Sequence, residues 1–405
     1  MLKNKLSNLV AIVIASSVML AACAPAPTAA PAATAAPVAK AVPAATAAPA
    51  ATAAPAATAA PAPAAAKVFK VGLVTDIGRL DDKSFNASAW AGVQKAKADL
   101  GDKIEIKAIE SNQPTDYEKN MDLFVKDGYD LVIGVGFLMG DAIAAEARKN
   151  PKTKFAIVDV GYFPSKDSPA CGDTVKDCYA DGGLTNVMSL VFAEDQSGYL
   201  AGAAAGLLTK SNKVGGVYGL KIPPVCKYAV GFANGAKATN DKVTVKGVYQ
   251  GFNEGAPFNN PELGKKNALA QISEGFDVIF SAGGNTGNGG LLGIAEQAKA
   301  GKDVLGIGVD QDQWNTLEAA RSILLTSAMK RVDVSTATAV KAAVDGSFKA
   351  GLKSFDVNND GVGIAPFHDL DGKVNADAKA KITKIVTDMK AGNVKTGLPA
   401  GDPCQ

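Results

Sequence analysis

The stretch "VFKVGLVTDIGRLDDKSFN", residues 68–86, sets the pattern that decides the fold. Residues 68–75 form the short apolar run of a buried strand, and an amphipathic helix is predicted from Ser84 to Leu100. The loop between them crowds three aspartates, a lysine and the pair Phe85–Asn86. In parallel sheets, ligands lie beyond the carboxyl ends of the strands, which is where this loop is expected to lie.

The same alternation of strand and helix continues along the chain. Further strands are predicted in the first half at 103–109, 130–136 and 154–160, and in the second half at 213–220, 243–249, 277–284 and 303–310. Helical patterns separate them, among them 115–128, 141–150, 231–240, 262–274 and 291–299. Two such sets predict an α/β protein with two Rossmann-like lobes, each built on a parallel sheet.

The first 66 residues have no pattern of a folded domain. Residues 1–23 combine an early pair of lysines, an apolar run too short to span a bilayer, and a final Leu-Ala-Ala-Cys that resembles a lipobox. Lipidation of Cys23 would anchor the protein to a membrane. Residues 24–66 are almost wholly Ala, Pro and Thr and are predicted to form a solvated, disordered tether.

The rest of the chain, residues 67–405, is close to neutral. Removing Lys3, Lys5 and Lys40 changes the formal charge from +2 to −1, because residues 1–66 contain no acidic residue. A nucleic-acid partner would require a concentrated basic face, so this class of partner is not expected.

Four cysteines remain besides Cys23, and in an exported chain they suggest disulfides. Three connectivities are possible. Cys171 and Cys178 lie in one loop and could close a small ring, which would leave Cys226 with Cys404. A zinc site would need closer paired spacing and usually histidine.

Catalytic and metal motifs are weak. His368 is the one histidine, so a Ser-His-Asp or Cys-His device would depend on it. Asp81 and Asp82 are adjacent and point apart, which suits turns better than acid–base catalysis. Residues 356–361 have calcium-loop spacing, but Phe367 stands where the bidentate glutamate is required. We therefore expect no enzyme activity, no cofactor and no metal.

The glycine-rich run "GGNTGNGGLLG", residues 283–293, has three open interpretations. It could be a dinucleotide loop, although its spacing is one residue away from G-x-G-x-x-G. It could equally be a plain strand-to-helix turn, or a turn whose backbone amides bind a ligand oxygen.

A neutral polar ligand fits the strand-end residues better than catalysis does. Phe85 and Phe192 could cover the two faces of a planar ring. Asn86 offers a donor and an acceptor to the edge of a nucleobase. Asp310 and Lys330 could hold the hydroxyl groups of a sugar.

Six segments share their pattern with one family. They are VGLVTDIGRLDDKSFNASAWAG (71–92), NVMSLVFAEDQSGYLAG (186–202), VGFANGAK (230–237), DVIFSAGGNTGNGG (277–290), GIGVDQDQ (306–313) and TSAMKRVD (326–333). Together they resemble the basic membrane protein family of ABC-transporter substrate-binding lipoproteins, over residues 68 to about 395. The best-understood members of that family are purine nucleoside receptors.

The resemblance implies two lobes joined by a hinge, the type I periplasmic-binding-protein fold. We expect one lobe to comprise 67–192 plus 311–345, and the other 193–310 plus 346–405. The implied partners are a nucleoside, an ABC permease with its ATPase, and the membrane through a lipid anchor. A monomer is expected at the cell surface or in the periplasm.

The resemblance also implies roles for eight residues, which are base stacking by Phe85 and Phe192, base contacts by Asn86 and Asp159, ribose contacts by Asp310 and Lys330, and backbone contacts by Gly283 and Gly284. Asp81, in the loop after the first strand, is a ninth expected ligand contact.

One segment departs from the family pattern. Residues 161–184 form a longer connection than expected, and it directly follows Asp159. Asp173 or Asp177 is therefore an alternative base contact, and a nucleoside is a firmer expectation than a purine. Two other functions stay open, a binder of another small polar ligand such as a sugar or autoinducer-like molecule, and an enzyme with a nucleotide cofactor.

Overall fold

The computed structural model describes residues 67–180 and 182–405. The signal peptide, Cys23 and the tether of 24–66 lie outside the described residues. Within the described ranges, no helix combines the length and the apolar character needed to cross a bilayer.

Strands and helices alternate through the first part of the chain. The elements are β1 (Phe69–Thr75), α1 (Phe85–Leu100), β2 (Ile104–Ile109), α2 (Tyr117–Lys126), β3 (Leu131–Val135), α3 (Gly140–Lys149), β4 (Lys154–Val158) and β5 (Val187–Phe192).

The second part repeats this alternation and ends with two short strands and two helices. The elements are α4 (Glu194–Leu208), β6 (Lys213–Leu220), α5 (Pro223–Thr239), β7 (Thr244–Gln250), α6 (Pro261–Ser273), β8 (Val278–Ala282), α7 (Gly284–Lys299), β9 (Leu305–Asp310), α8 (Gln313–Thr316), β10 (Leu324–Lys330), α9 (Val332–Asp345), β11 (Gly351–Phe355), β12 (Val362–Ile364) and α10 (Ala376–Lys390).

Twelve strands form two six-stranded sheets. The first has the order β11-β5-β4-β3-β1-β2 and is parallel throughout. The second has the order β12-β10-β9-β8-β6-β7, and only β12 runs antiparallel to its neighbour. The predicted fold class of two α/β lobes with parallel sheets is confirmed.

The predicted lobe boundaries need correction at two strands. β10 lies in 311–345, which was assigned to the first lobe, but it pairs with β9 in the second sheet. β11 lies in 346–405, which was assigned to the second lobe, but it pairs with β5 in the first sheet. The apolar pattern of a strand gives its type and burial but not its neighbour, which is why these boundaries were wrong.

The chain crosses between the lobes three times, after β5, after β10 and after β11. The crossing segments bond to one another. The Ala193 amide donates to the Phe355 carbonyl at 3.0 Å, and the Arg331 amide donates to the Gly361 carbonyl at 2.9 Å. These three adjacent crossings connect the two lobes, at the place where the family resemblance implies a hinge.

The helices α5 and α7 begin earlier than predicted. Pro223 and Pro224 open α5, since proline suits the first helical turn. The glycine-rich run is mostly inside α7, where a Cβ on Gly289 would lie 1.9 Å from the Pro261 carbonyl oxygen. These glycines permit a close crossing of α6 and α7, so most of the run is not a phosphate-binding loop.

Each sheet is covered by helices on both faces, and the apolar cores lie between sheet and helices. Leu73 and Ile133 are fully buried in the first lobe, as are Phe280 and Ile307 in the second. Burial of such a side chain stabilises a fold by roughly 1.5–3 kcal/mol. The cores therefore hold the strand ends of both lobes in place.

Two disulfides are present, Cys171–Cys178 and Cys226–Cys404, with Cα separations of 5.3 and 5.2 Å. This is the pairing that the loop position of Cys171 and Cys178 favoured. The second disulfide attaches the C-terminal tail to α5.

The crossing of α4 and α5 gives a test of the packing. A Cβ on Gly202 would lie 2.0 Å from the Phe232 carbonyl oxygen, so Gly202→Ala must push two helix backbones apart. We expect the free energy of unfolding to fall by about 1–3 kcal/mol in a denaturant titration. Gly372→Ala, whose Cβ would meet no atom within 4 Å, is the control. Equal stability of the two variants would contradict this packing.

Candidate ligand-binding cleft

A cleft lined by apolar and charged side chains lies between the two lobes at the carboxyl ends of their strands. Its volume is about 60 Å³, several times the roughly 10–15 Å³ that one water needs. The first lobe contributes Asp76, Gly78, Asp82, Phe85, Asn86, Gly136, Phe137 and Asp159, and the second contributes Ile222, Pro224, Val225, Tyr228, Phe258, Ala282, Gly283, Gly284, Val309, Asp310 and Lys330.

Seven of the nine residues that were expected to bind a ligand line this cleft, namely Phe85, Asn86, Asp159, Gly283, Gly284, Asp310 and Lys330. Asp81 and Phe192 do not line it. The strand-end rule therefore led to the edge of both sheets at which this cleft lies.

Asp81 lies on the surface, whereas its neighbour Asp82 is buried. The side chain of Asp81 is 72% exposed and pairs with Arg79 at 3.2 Å. The carboxylate of Asp82 accepts the backbone N–H groups of Ser84 and Ala87, at 2.9 and 3.0 Å. Asp82 thus satisfies free amides at the start of α1, as a capping residue does.

Phe192 packs inside the first lobe and not against the cleft. Its ring stacks on Phe355, with centroids 5.1 Å apart and an interplanar angle of 25°. The second-lobe aromatic residues on the wall are Tyr228 and Phe258. Sequence patterns missed both, because Phe258 lies in a loop and Tyr228 on a helix.

The structure around Phe258 holds its ring on the cleft wall. Its backbone is left-handed, with φ of 56°, which is uncommon for a bulky residue. The Phe258 amide donates to Gln250 Oε1 at 3.1 Å, and the Thr286 amide donates to the Phe258 carbonyl at 3.2 Å. A Cβ on Gly219 would lie 2.2 Å from the ring, so glycine at that position makes room for it.

Asn86 presents an acceptor to the cleft. Its Nδ2 donates to Asp76 Oδ1 at 3.2 Å and to Asp82 Oδ2 at 3.3 Å. Because the two carboxylates hold the nitrogen, the amide oxygen is left buried without a hydrogen-bond partner among the described residues. That oxygen can accept an N–H group from a ligand.

A buried ion network crosses the cleft. Lys330 Nζ lies 2.6 Å from Asp159 Oδ1 and 3.0 Å from Glu194 Oε1, and Lys330 is only 2% exposed. Lys227 reaches the other oxygen of Glu194 at 3.1 Å. Burial disfavours the charge on Lys330, but the surrounding carboxylates hold its pKa above the ordinary value.

Asp310 is a buried carboxylate with an unfavourable charge. Its Oδ2 accepts from Ser84 Oγ at 2.6 Å. Burial raises the pKa of Asp310 to about 7, although Lys330 opposes the shift. Burial likewise raises the pKa of Asp76 and of Asp159 to about 6. A ligand that donates hydrogen bonds to these carboxylates would relieve the cost of their charge.

The loop of 79–84 is bound by the opposite lobe. Four side chains of the second lobe donate to three successive loop carbonyls: Asn288 to Asp82 at 2.7 Å, Gln313 and Thr316 to Lys83 at 3.2 and 3.0 Å, and Gln311 to Ser84 at 2.9 Å. We call this set of contacts the interlobe latch.

Other candidate residues lie away from the cleft. Asp173 and Asp177 are absent from its wall, and Asp177 accepts the Tyr179 amide at 2.9 Å. His368 binds Asp312 at 2.7 Å and is not on the wall either.

Two α/β lobes around a cleft form a fold that is shared by solved ABC-transporter solute-binding proteins and by a solved transcriptional activator of comK. The fold matches a solved ABC-transporter solute-binding protein from Aeropyrum pernix K1 with a TM-score of 0.69 and 23% identity, covering 81% of this chain and 92% of that one. Residues 69–393 match the family model Bmp, described as ABC transporter substrate-binding protein PnrA-like, and the chain belongs to this family.

Two curated relatives match this chain over most of their own length. The "CD4+ T-cell-stimulating antigen" of Listeria monocytogenes is 34% identical, covering 81% of this chain and 88% of the relative. The "ABC transporter nucleoside-binding protein BmpA" of Lactococcus lactis subsp. cremoris is 30% identical, covering 80% and 88%.

The buried charge of Asp310 predicts a pH-dependent effect on stability. Its folded pKa of about 7 lies above the ordinary value of about 3.9. Its contribution to stability is therefore complete in acid and is lost as the pH rises through 7. Asp310→Asn removes this charge and tolerates the left-handed φ of 65°.

We expect Asp310→Asn to raise the thermal unfolding midpoint of the empty protein at pH 8, with a smaller difference at pH 5. Scanning calorimetry at both pH values measures this. Asp81→Asn, on the exposed part of the same cleft loop, should change stability little. A midpoint that falls at pH 8 in the Asp310 variant would refute the expectation.

Proposed function

We propose that this substrate-binding protein takes up a nucleoside, with a purine base preferred, in the interlobe cleft. The observation that carries the proposal is the presence in one cleft of two aromatic rings from different lobes, Phe85 and Phe258, together with the polar pair Asp310 and Lys330. Rings suit a planar base, and the polar pair suits a sugar.

The base would lie between aromatic rings supplied by different lobes. Offset stacking adds about 0.5–1.5 kcal/mol per contact beyond burial. Asn86 Oδ1, buried and unpartnered within the described part of the chain, would accept a ring N–H or an exocyclic amino group. Asp159 is held by Lys330 and lies on the same wall, where it supplies a second acceptor.

The sugar would lie against the second lobe. Asp310 would accept its hydroxyl groups with the oxygen that Ser84 leaves free, and Lys330 would donate to a sugar oxygen. Gly283 and Gly284, at the start of α7, would contribute backbone contacts. The proposed role is binding without catalysis.

The charge of the cleft favours an unphosphorylated ligand. Four aspartates line it, Asp76, Asp82, Asp159 and Asp310, against the single lysine Lys330. A phosphate group would bring negative charge into this acidic, poorly solvated site, which is costly.

Anchoring and transport complete the proposal. A lipid on Cys23 would hold the protein on the outer side of the cytoplasmic membrane, at the cell surface or in the periplasm, as a monomer. Lobe closure with ligand, stabilised by the interlobe latch, would present one shape to an ABC permease and its ATPase. The name of the Lactococcus relative supports a nucleoside as the ligand.

Calorimetric titration of the purified protein tests the proposal. We expect adenosine, guanosine and inosine to bind more tightly than uridine, while ribose and glucose give no heat of binding. Adenosine monophosphate should bind at least about tenfold more weakly than adenosine, because its phosphate group brings negative charge into a cleft lined by four aspartates. Tight binding of a free sugar, with no binding of any nucleoside, would overturn the assignment.

A stacking role makes Phe85 sensitive to truncation. Phe85→Ala should weaken adenosine binding at least about tenfold, because stacking and burial of the base are both lost. Phe252→Ala is the matched control, because Phe252 is 65% exposed and does not lie on the wall. Equal affinities of the two variants would remove Phe85 from the site.

A further inference from the structure

Tyr228 is a buried residue of the cleft with an unused hydroxyl group. It lies on α5, lines the cleft, and is only 3% exposed. Within the described part of the chain its hydroxyl makes no hydrogen bond of normal geometry, although it lies near enough to the Asp310 carboxylate to interact with it. Buried hydroxyl groups are nearly always paired, and an unpaired one costs stability, so this group needs an explanation.

The position of Tyr228 is fixed by packing on several sides. Its ring lies edge-on against Phe280, with centroids 5.7 Å apart and planes at 71°. Its backbone contacts α4, where a Cβ on Gly198 would lie 2.4 Å from the Tyr228 carbonyl oxygen. Cys226, on the preceding turn, is joined to Cys404. The ring therefore cannot swing away to find another partner in the protein.

The neighbouring carboxylate of Asp310 determines which kind of ligand group the Tyr228 hydroxyl can bind. Burial raises the pKa of Tyr228 well above its usual value, and the nearby Asp310 charge adds to this. The hydroxyl therefore stays protonated and can donate. Ser84 already occupies Asp310 Oδ2. A ligand hydroxyl placed here could donate to the free carboxylate oxygen while its own oxygen accepts from Tyr228.

We infer that Tyr228 binds a sugar hydroxyl of the ligand together with Asp310, and so makes the cleft selective for ribonucleosides over deoxyribonucleosides. This inference rests on the proposed nucleoside function. It assigns the unpaired hydroxyl a partner that is present only in the complex. A site built to pair a ligand hydroxyl discriminates against the analogue that lacks it, because its own polar groups are then left unpaired.

Tyr117 provides a matched control. It is 2% exposed, and its hydroxyl also makes no hydrogen bond of normal geometry among the residues described, although it lies near the Ile77 backbone. It lies on α2 and is not on the cleft wall. Tyr117→Phe and Tyr228→Phe thus remove the same kind of group, and only one of them from the cleft.

The experiment measures the affinity of the wild type and both variants for adenosine, 2′-deoxyadenosine and 3′-deoxyadenosine by calorimetry. The wild type should prefer adenosine to one of the deoxy analogues by about tenfold or more. Tyr228→Phe should lose about tenfold for adenosine and almost nothing for that analogue, so that the preference disappears. Tyr117→Phe should keep the wild-type preference.

A second measurement separates ligand recognition from a structural role. Since the Tyr228 hydroxyl makes no hydrogen bond of normal geometry to the described residues, Tyr228→Phe should leave the thermal unfolding midpoint of the protein without ligand unchanged or raised. The midpoint gained on adding adenosine should be smaller than in the wild type. A lower midpoint in the empty variant would show that the hydroxyl is paired within the protein and would overturn the inference.

The two proposals fail in different ways. No binding of any nucleoside by the wild type would refute the proposed function, and the inference with it. Binding by the wild type, with the same preference for adenosine retained in Tyr228→Phe, would refute the role of Tyr228 alone.

Discussion

The buried ammonium group of Lys330 is the charge on which the cleft depends. It forms ion pairs with Asp159, which directly follows β4, and with Glu194, the first residue of α4. Each of these charges is costly without the others, because none can be solvated. The same ammonium lies 5.0 Å from the ring centres of both Phe85 and Phe192, so it contacts one ring of the cleft and one ring of the core.

The cleft combines features that each work against folding. Asp159, directly after β4, and Asp310, the last residue of β9, both adopt left-handed backbones, and burial raises the pKa of both carboxyl groups. Phe258 is left-handed as well. Strain of this kind persists only where the surrounding structure determines the conformation, which the apolar cores of the two sheets do here. The side chains that line the cleft are thus held in position, so little of the free energy of binding a ligand there would be needed to order them.

Sequence patterns led to part of this site for a clear reason. The carboxyl ends of parallel strands meet at one edge of each sheet, so residues such as Asp310 and Lys330 could be found from strand periodicity alone. Periodicity could not place Phe258 or Tyr228, since a loop and a helix reach the cleft only through tertiary packing. It also assigned Phe192 to the cleft, although the direction of a side chain at a strand end depends on the pleat. The sequence also assigned β10 and β11 to the wrong lobes, because the apolar pattern of a strand does not show where the chain crosses between lobes.

The interlobe latch has a consequence for how such a receptor can diverge. Its acceptors are main-chain carbonyl groups of Asp82, Lys83 and Ser84, which any residue supplies. Its donors, on Asn288 and the residues after β9, are separate from the rings that would contact a base. Substitutions at those rings would therefore leave the latch contacts in place. The contacts of Ser84 with Asp310 and of Lys330 with Asp159 differ, because they join the lobes through the same polar groups that are proposed to hold the ligand.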